Sequence, residues 1–356
     1  MLHRDCFTKY VHTKIIKRME SFRVRHSTVG KQRKLLLPLS FGVSSITLLH
    51  ILSHHLQTQT GRTGRTGFAL HVLFVDTSAV EVSCPDSGRL ELVRERYPQH
   101  TYSVAQLADI FVGENSMSGL EDQLGISPTT NGEVPTPPQE KLEDLIASLP
   151  SATSRSDVIT ILRTRLIVHD AQELGCEAIL WGDSTTRLAE RTLAETAKGR
   201  GFSLAWQVSD GDTPHGVSFH YPVRNLLKKE LVTHADMVSP PLTPLIAGSG
   251  PTEASVSSKN TTIDDLMKQY FESVEENYPS IVANVVRTSS KLKAPTVRET
   301  DTVCEMCRMP VTDGAFGIHG WGGDQVEAPL ASEDGATARL CYGCTRSVPL
   351  PGVSIP

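Results

Sequence analysis

The chain has 356 residues, of which 39% are hydrophobic and 21% are charged. These shares exclude wholesale disorder, and the length suits two domains or one large domain with appendages. Seven cysteines are too few for a disulfide-rich secreted scaffold. The net charge of −5 conceals a reversal of sign, because residues 1–67 carry 12 Lys or Arg against only Asp5 and Glu20. A basic end of this kind suggests contact with a polyanion.

Residues 1–34 predict a basic, amphipathic helical segment. Apolar positions recur at helical spacing over residues 7–26, with Lys and Arg around them. A mitochondrial transit peptide has the same features and stands as the alternative. The uncharged stretch 35–52 is interrupted by Pro38 and Gly42, so it predicts a strand, a turn and a helix rather than a membrane span. We therefore expect no membrane association.

Strand and helix patterns alternate over residues 35–238. Strands are predicted at 35–39, 68–76, 101–104 and 176–181, and helices at 46–56, 90–95, 154–175 and 184–199. This alternation predicts a Rossmann-like α/β domain, a parallel sheet with helices on both faces.

The remaining segments differ from this domain in composition. They are a flexible Pro- and Gly-rich insertion at 113–138, a linker at 239–262, a helical arm at 263–300 and a cysteine module at 301–348.

Two cysteine pairs give the strongest chemical signal in the chain. Cys304 and Cys307 are separated by 33 residues from Cys341 and Cys344, and both pairs have the spacing C-x2-C. Each pair spans one turn, so four thiolates can complete a tetrahedral shell, which suits a structural zinc ion. Redox pairs and an iron–sulfur site are the alternatives.

A small-residue loop follows the first predicted strand. Backbone N–H groups and hydroxyls in such a loop can bind phosphate at a helix N-terminus, and the candidates are Ser40, Gly42, Ser44 and Ser45. An ordinary tight turn explains the same residues. The loop holds no Lys to neutralise phosphate and no Asp to hold Mg²⁺, and Phe41 is bulky, so the loop disfavours ATP binding.

Several segments together resemble the cytoplasmic tRNA 2-thiolation protein 2 family. They are HRDCF near the start, LSFGVSSITLLHIL, LFVD, SRSDVITILRTRLI, CEAILWGDSTTRLA, YPVRNLLKKEL and the paired cysteines with LCYGC. The resemblance implies an adenine nucleotide alpha-hydrolase-type fold with a pyrophosphate loop. It covers most of the chain and leaves the 113–138 insertion and the linker after residue 238 unmatched.

The loop departs from the pattern SGGxDS that active members of the wider family use to adenylate a tRNA base. Phe41 replaces the first Gly, and Ser44 replaces the Asp. The catalytic paralogue also carries a mid-chain cysteine pair that relays sulfur, whereas this chain has only the single Cys84 and Cys176 in that region. These differences imply a vestigial phosphate loop and a subunit that does not catalyse.

The resemblance further implies a cytoplasmic heterodimer with a catalytic thiolase paralogue. That complex would take sulfur from a thiocarboxylated ubiquitin-related modifier, which links it to protein urmylation, and would form 5-methoxycarbonylmethyl-2-thiouridine at the tRNA wobble position. The alternatives are an active tRNA-adenylating enzyme and a zinc-dependent RNA-binding scaffold without a thiolation role.

A tRNA partner would explain the basic segment, because binding to an RNA backbone needs clustered positive charge. A solvated helix face is the alternative. The candidate tRNA-binding residues are Lys9, Lys14, Lys17, Arg18, Arg23, Arg25 and Arg200.

Overall fold

The protein is built on a five-stranded parallel sheet. The structure is a computed structural model, and it describes residues 4–23, 32–81, 84, 87–112, 136–248, 261–297, 302–311, 316–317 and 339–348. The strands are β1 (Arg33–Pro38), β2 (Phe68–Asp76), β3 (Thr101–Gln106), β4 (Ala178–Leu180) and β5 (Ser218–His220). Their order across the sheet is β3-β2-β1-β4-β5, and all neighbours are parallel.

Helices connect and cover these strands. They are α1 (Arg4–Arg18), α2 (Val43–Thr63), α3 (Ser87–Arg96), α4 (Pro138–Ser148), α5 (Ala152–Glu173), α6 (Thr185–Ala197), α7 (Leu204–Val208), α8 (Lys228–Met237), α9 (Ile263–Asn277), α10 (Pro279–Ser289) and α11 (Tyr342–Ser347).

Helices cover both faces of the central strands, and successive side chains of a strand point to opposite faces. On one side, Leu35 and Leu37 pack with the apolar residues of α1, α2, α3 and α8. On the other side, Leu36 packs with those of α5, α6, α9 and α10, and the four cysteines of the C-terminal module belong to the same apolar cluster. The predicted α/β fold class is confirmed.

The segment after α8 differs from the expected linker in its described part. Leu242 and Leu245 are buried, and Arg89 of α3 donates a hydrogen bond to the carbonyl oxygen of Ile246 at 2.8 Å. Residues 239–248 are therefore packed against the sheet domain. Most of the predicted flexible insertion, residues 113–135, lies outside the described residues.

Within the part of the chain that the structure describes, no helix combines the length and the apolar character needed to cross a membrane.

Candidate functional site

The loop between β1 and α2 lies where a nucleotide site is expected. From β1 the chain proceeds outward to β2 and β3, and it then crosses to the other side of β1 for β4 and β5, so the strand order reverses beside β1. Ligands of open α/β sheets bind at this switch in strand order. Gly42 caps α2 through its backbone, and no side chain caps the helix. The four candidate phosphate-binding residues therefore occupy the expected position.

Other segments of the chain pack closely on this loop. The Phe41 side chain is fully buried, its φ is +56°, and its carbonyl oxygen accepts a hydrogen bond from the N–H of Ala247 at 2.8 Å. A Cβ at Gly182, after β4, would lie only 2.8 Å from Cα of Ser45. The hydroxyls of Ser40 and Ser45 lie 3.2 Å apart and bond to each other. Ala247 and Gly182 thus bring protein atoms against the loop from two distant parts of the sequence.

The four cysteines predicted to bind metal are brought together. Their sulfur atoms all lie within 4.8 Å of one another, and all four residues are buried. The Sγ atoms of Cys307 and Cys341 are 3.8 Å apart. A tetrahedron with metal–sulfur bonds of about 2.3 Å has sulfur–sulfur edges of about 3.8 Å. The donor set therefore fits one tetrahedral ion.

Backbone hydrogen bonds hold the first cysteine pair in a tight turn. The N–H of Cys304 donates to the carbonyl oxygen of Met309 at 2.9 Å, and the N–H of Arg308 donates to that of Cys304 at 2.8 Å. Arg308 takes a left-handed φ of +58° to close this turn. The pair is thus oriented by local structure.

The second cysteine pair begins α11. Cys341 is the N-cap residue, and its N–H points at Sγ of Cys304 at 3.3 Å. Hydrogen bonds from Cys307, Cys341 and Cys344 lower the pKa of the Cys304 thiol. Hydrogen bonds with the neighbouring thiols and burial raise the pKa of Cys307 and Cys344, so Cys304 ionises first, and a bound metal would favour the thiolate form of the others.

A buried group of charges, which we call the charge cluster, joins the cysteine module to the sheet domain. Asp157 of α5 accepts hydrogen bonds from Arg200 at 2.8 Å and from the hydroxyl of Ser347 in α11 at 2.5 Å. Lys198 forms ion pairs with Asp157 at 3.1 Å and with Glu195 at 2.6 Å. Burial alone would raise the pKa of Asp157, but the positive charges of Arg200 and Lys198 outweigh burial and lower it.

The charge cluster corrects the prediction that Arg200 contacts tRNA. The residue is 1% exposed, and its guanidinium pairs with Asp157 and lies 4.0 Å from Sγ of Cys344. A backbone phosphate cannot reach it, so that prediction is wrong. Two glycines allow the segment at Arg200 and α11 to pack closely. A Cβ at Gly199 would lie 2.4 Å from the Tyr342 ring, and one at Gly343 would lie 2.6 Å from Cγ of Arg200.

The basic helix α1 packs on α2 and α8, and the chain itself engages several of its charges. Nζ of Lys14 donates to the carbonyl oxygen of Asn225 at 3.0 Å, Arg18 pairs with Asp210, and Arg23, just after the helix, pairs with Glu20 at 2.6 Å. Lys9 and Lys17 are exposed. Arg25 lies outside the described residues.

Sequence reasoning missed the charge cluster and a group of histidines beside α1. The charged residues lie at 157, 195, 198, 200 and 264, and no local pattern joins them. His12 of α1 faces His54 and His55 of α2, with ring centroids 6.2 and 6.0 Å apart. In the sequence, the signal of this group is the adjacent pair of histidines at positions 54 and 55.

The single cysteines of the sheet domain are separate from the metal-binding cluster. Cys176 is 9% exposed within the core, and burial raises the pKa of its thiol. The Cys84 thiol donates to a carboxylate oxygen of Asp76 at 3.5 Å. Among the described residues, the cysteines that gather as metal ligands are those of the C-terminal module.

Sheet, loop and cysteines together define a Rossmann-like protein of the adenine nucleotide alpha-hydrolase type with a four-cysteine centre. The chain is similar in fold to the U34-tRNA thiolase NcsA from Methanococcus maripaludis, which was solved with its [4Fe-4S] cluster. The TM-score is 0.54 and the identity is 15%, and the match covers 87% of this chain and 86% of that one.

Sequence comparison gives the family. A family model described as cytoplasmic tRNA 2-thiolation protein 2 matches residues 262–317. Relatives of that name from Phaeosphaeria nodorum and Pyrenophora tritici-repentis are 57% and 52% identical, over 99% and 98% of this chain and 91% and 90% of theirs. The chain therefore belongs to the cytoplasmic tRNA 2-thiolation protein 2 family, as the sequence motifs predict. The names of these relatives agree with the predicted cytoplasmic location.

Proposed function

We propose that this chain is a non-catalytic subunit of a cytoplasmic complex that thiolates tRNA. The observation that carries the proposal is the loop after β1, where Phe41 and Ser44 stand at the positions of a Gly and an Asp in the pattern SGGxDS. Without an acid the loop has no carboxylate to hold Mg²⁺ beside a phosphate. The packing of Ala247 and Gly182 on the loop supports the same conclusion.

The proposed partner is a paralogue that has the intact loop and a pair of relay cysteines. Cys84 and Cys176 cannot replace that pair, since Cys176 is a core residue. The complex would transfer sulfur from a thiocarboxylated ubiquitin-related modifier and form 5-methoxycarbonylmethyl-2-thiouridine at the wobble position. Membership of the thiolation family supports this assignment.

The metal proposed for the four cysteines is zinc, in a structural role. Four thiolates leave no open position for substrate, which is typical of structural zinc sites. The short sulfur–sulfur distances suit one ion, because a four-iron cluster holds its cysteine sulfurs further apart. Burial against the sheet domain supports a role in holding the module in place.

The proposed tRNA contact uses the basic face of α1. Lys9 and Lys17 carry most of it because both are exposed. Lys14, Arg18 and Arg23 are partly buried and would add positive potential beside them. Such contacts go to the RNA backbone and position the complex without reading sequence.

Replacing Ser44 tests the non-catalytic assignment. The Ser44→Ala variant, assembled with the paralogue, should thiolate tRNA at nearly the parent rate, because a hydroxyl there does not replace the missing acid. The rate of 2-thiouridine formation is measured by mass spectrometry of the tRNA. The matched control replaces the acid of the paralogue's own loop by Ala, which should abolish product. Loss of thiolation in an intact Ser44→Ala complex would overturn the assignment.

A further inference from the structure

A groove with a volume of about 640 Å³ lies between α1, α2 and α8. It is on the side of the sheet opposite the cysteine module, since α1, α2 and α8 belong to the other apolar cluster. Its volume is within the range of roughly 300–1,000 Å³ that is typical of ligand sites. Neither the loop after β1 nor the cysteine centre accounts for this groove.

The rim of the groove is basic. Lys9 is exposed there and forms no ion pair within the described residues. Arg4 joins the rim, and its Nε donates to the carbonyl oxygen of Met237 at 2.7 Å. Asp5 is the acidic residue of the lining, and it already has an interaction within the protein. A rim of this charge suits a phosphate group.

Histidine rings and apolar side chains form the wall of the groove. His12, His50, His54 and His234 line it, together with Ile51 and Val238. The ring centroids of His50 and His234 are 6.3 Å apart. Burial and the neighbouring histidines lower the pKa of His12 and His50, so their imidazoles are neutral near pH 7. Neutral flat rings can stack on a nucleobase and can bond to its edge.

The wall of the groove also contains a buried polar atom of His234 that lacks a partner in the described part of the chain. His234 is 1% exposed, it lines the groove, and its Nδ1 has no hydrogen-bond partner among the described residues. A buried polar atom without a partner costs about 1–3 kcal/mol, so such atoms are rare unless a ligand or water bonds to them. Because this Nδ1 is shielded from solvent, a nucleobase in the groove reaches it only when the His234 ring turns toward the groove.

We propose that this groove binds one unstacked nucleotide of single-stranded RNA, with the base against the histidine rings and the phosphate against Lys9. A duplex keeps its bases stacked, so only a loop or an end can place a base between helices. The inference rests on the proposed tRNA role for the source of the nucleotide. The evidence for the groove itself is the volume, the lining residues and the distances given above, and it does not depend on the tRNA role.

Binding by the purified full-length chain tests the groove. The probes are inorganic phosphate, uridine monophosphate, a fluorescent single-stranded oligouridylate and total tRNA, each titrated at several salt concentrations. His54→Ala should weaken oligouridylate binding at least about fivefold, since base stacking is worth about 1–3 kcal/mol. Lys9→Ala should reduce the slope of log affinity against log salt by about 0.7, as expected for one phosphate contact on a single strand.

Exposed residues outside the groove provide matched controls. Gln57→Ala on α2 and Lys293→Ala after α10 should leave oligouridylate affinity unchanged. Because His54 and Lys9 are exposed, their variants should fold as the parent does. His54→Ala and Lys9→Ala variants that bind oligouridylate as the parent does would overturn the proposal.

The other outcomes distinguish the groove from the proposed function. Binding of uridine monophosphate without oligouridylate would make the ligand a free nucleotide and would overturn the RNA assignment. Binding of phosphate alone would remove the role of the histidines and overturn the proposal as well. If the variants have no effect while the complex still binds and thiolates tRNA, the groove proposal fails and the proposed function stands. If the complex neither binds nor thiolates tRNA, the proposed function fails.

Discussion

Charged side chains that are buried between the sheet domain and the cysteine module determine how these two parts meet. Asp157 is 1% exposed, and it bonds to Arg200 and to Ser347 of α11. Buried ion pairs add little net stability, because removing charges from water offsets their attraction. Breaking one is costly, however, since it leaves an unpaired buried charge. We therefore expect the charge cluster to contribute to the docking position of α11 rather than to net stability.

The Arg200→Ala variant should be strongly destabilised. It leaves Lys198 as the positive partner that Asp157 and Glu195 share among the described residues, and removal of one partner from a buried pair costs about 3–5 kcal/mol. Urea denaturation measures the change in free energy of unfolding. Arg94→Ala is the matched control, because the Arg94–Glu91 pair is 37% and 61% exposed and should contribute less than about 1 kcal/mol. Unchanged stability together with weaker tRNA binding would restore the RNA role of Arg200.

At the scale of elements, the cysteine module depends on the tight turn at Cys304 and on α11. A helix of six residues is too short to be stable alone, so its order comes from the metal-ligand cysteines and from packing on the sheet domain. Metal binding and folding of such a module are coupled.

The Cys304→Ser variant should lose about one zinc ion per chain, and residues 302–311 and 339–348 should become sensitive to protease. Elemental analysis and limited proteolysis measure these effects. Cys6→Ser is the matched control, because Cys6 is exposed and lies outside the metal-binding cluster. A parent protein that contains iron with visible absorbance, or no metal, would contradict the assignment.

The packing of α8 on α2 should weaken as pH falls. Burial first, and then nearby charge, lowers the pKa of His50 and His234 to about 4. The unfolded chain, with an ordinary pKa near 6.5, binds more protons between pH 6.5 and 4, so stability is present above pH 6.5 and is lost across this range.

For His234, which is almost fully buried, the free energy of unfolding should change by at most about 1.4 kcal/mol per pH unit. Chemical denaturation from pH 8 to pH 4 measures it, and a His234→Asn variant should show a shallower slope. An unchanged slope in that variant would show that His234 does not cause the pH dependence of stability.

Local patterns predicted many of these elements. Strand β2 has its predicted bounds, 68–76, because a continuous apolar run is flanked by a basic Gly-rich loop and ends at Asp76. Strand β5 has only three residues, too few for a periodic pattern, and was not predicted. The spacing of the four cysteines predicted their grouping. The burial of Arg200 could not be predicted, since Asp157 lies 43 residues away in sequence.

At the scale of the whole molecule, the protein has three regions of different chemistry on one sheet. The cysteine module packs on one face, the basic helix and its histidine groove lie on the other, and the loop after β1 sits at the carboxyl edge between them. The charges follow this division in part, because α1 carries five Lys or Arg against the single acid Asp5. This arrangement suits the proposed role of a subunit that holds tRNA for a partner.

Reconstituted thiolation tests the central claim, that this chain is an essential but non-catalytic subunit. The chain alone, the thiolase paralogue alone and the two together are each given ATP, a sulfur source and unmodified tRNA. The 2-thiouridine formed is then measured by mass spectrometry. We expect product from the pair, and none from this chain alone. Thiolation by this chain alone, or undiminished thiolation by the paralogue without it, would contradict the account.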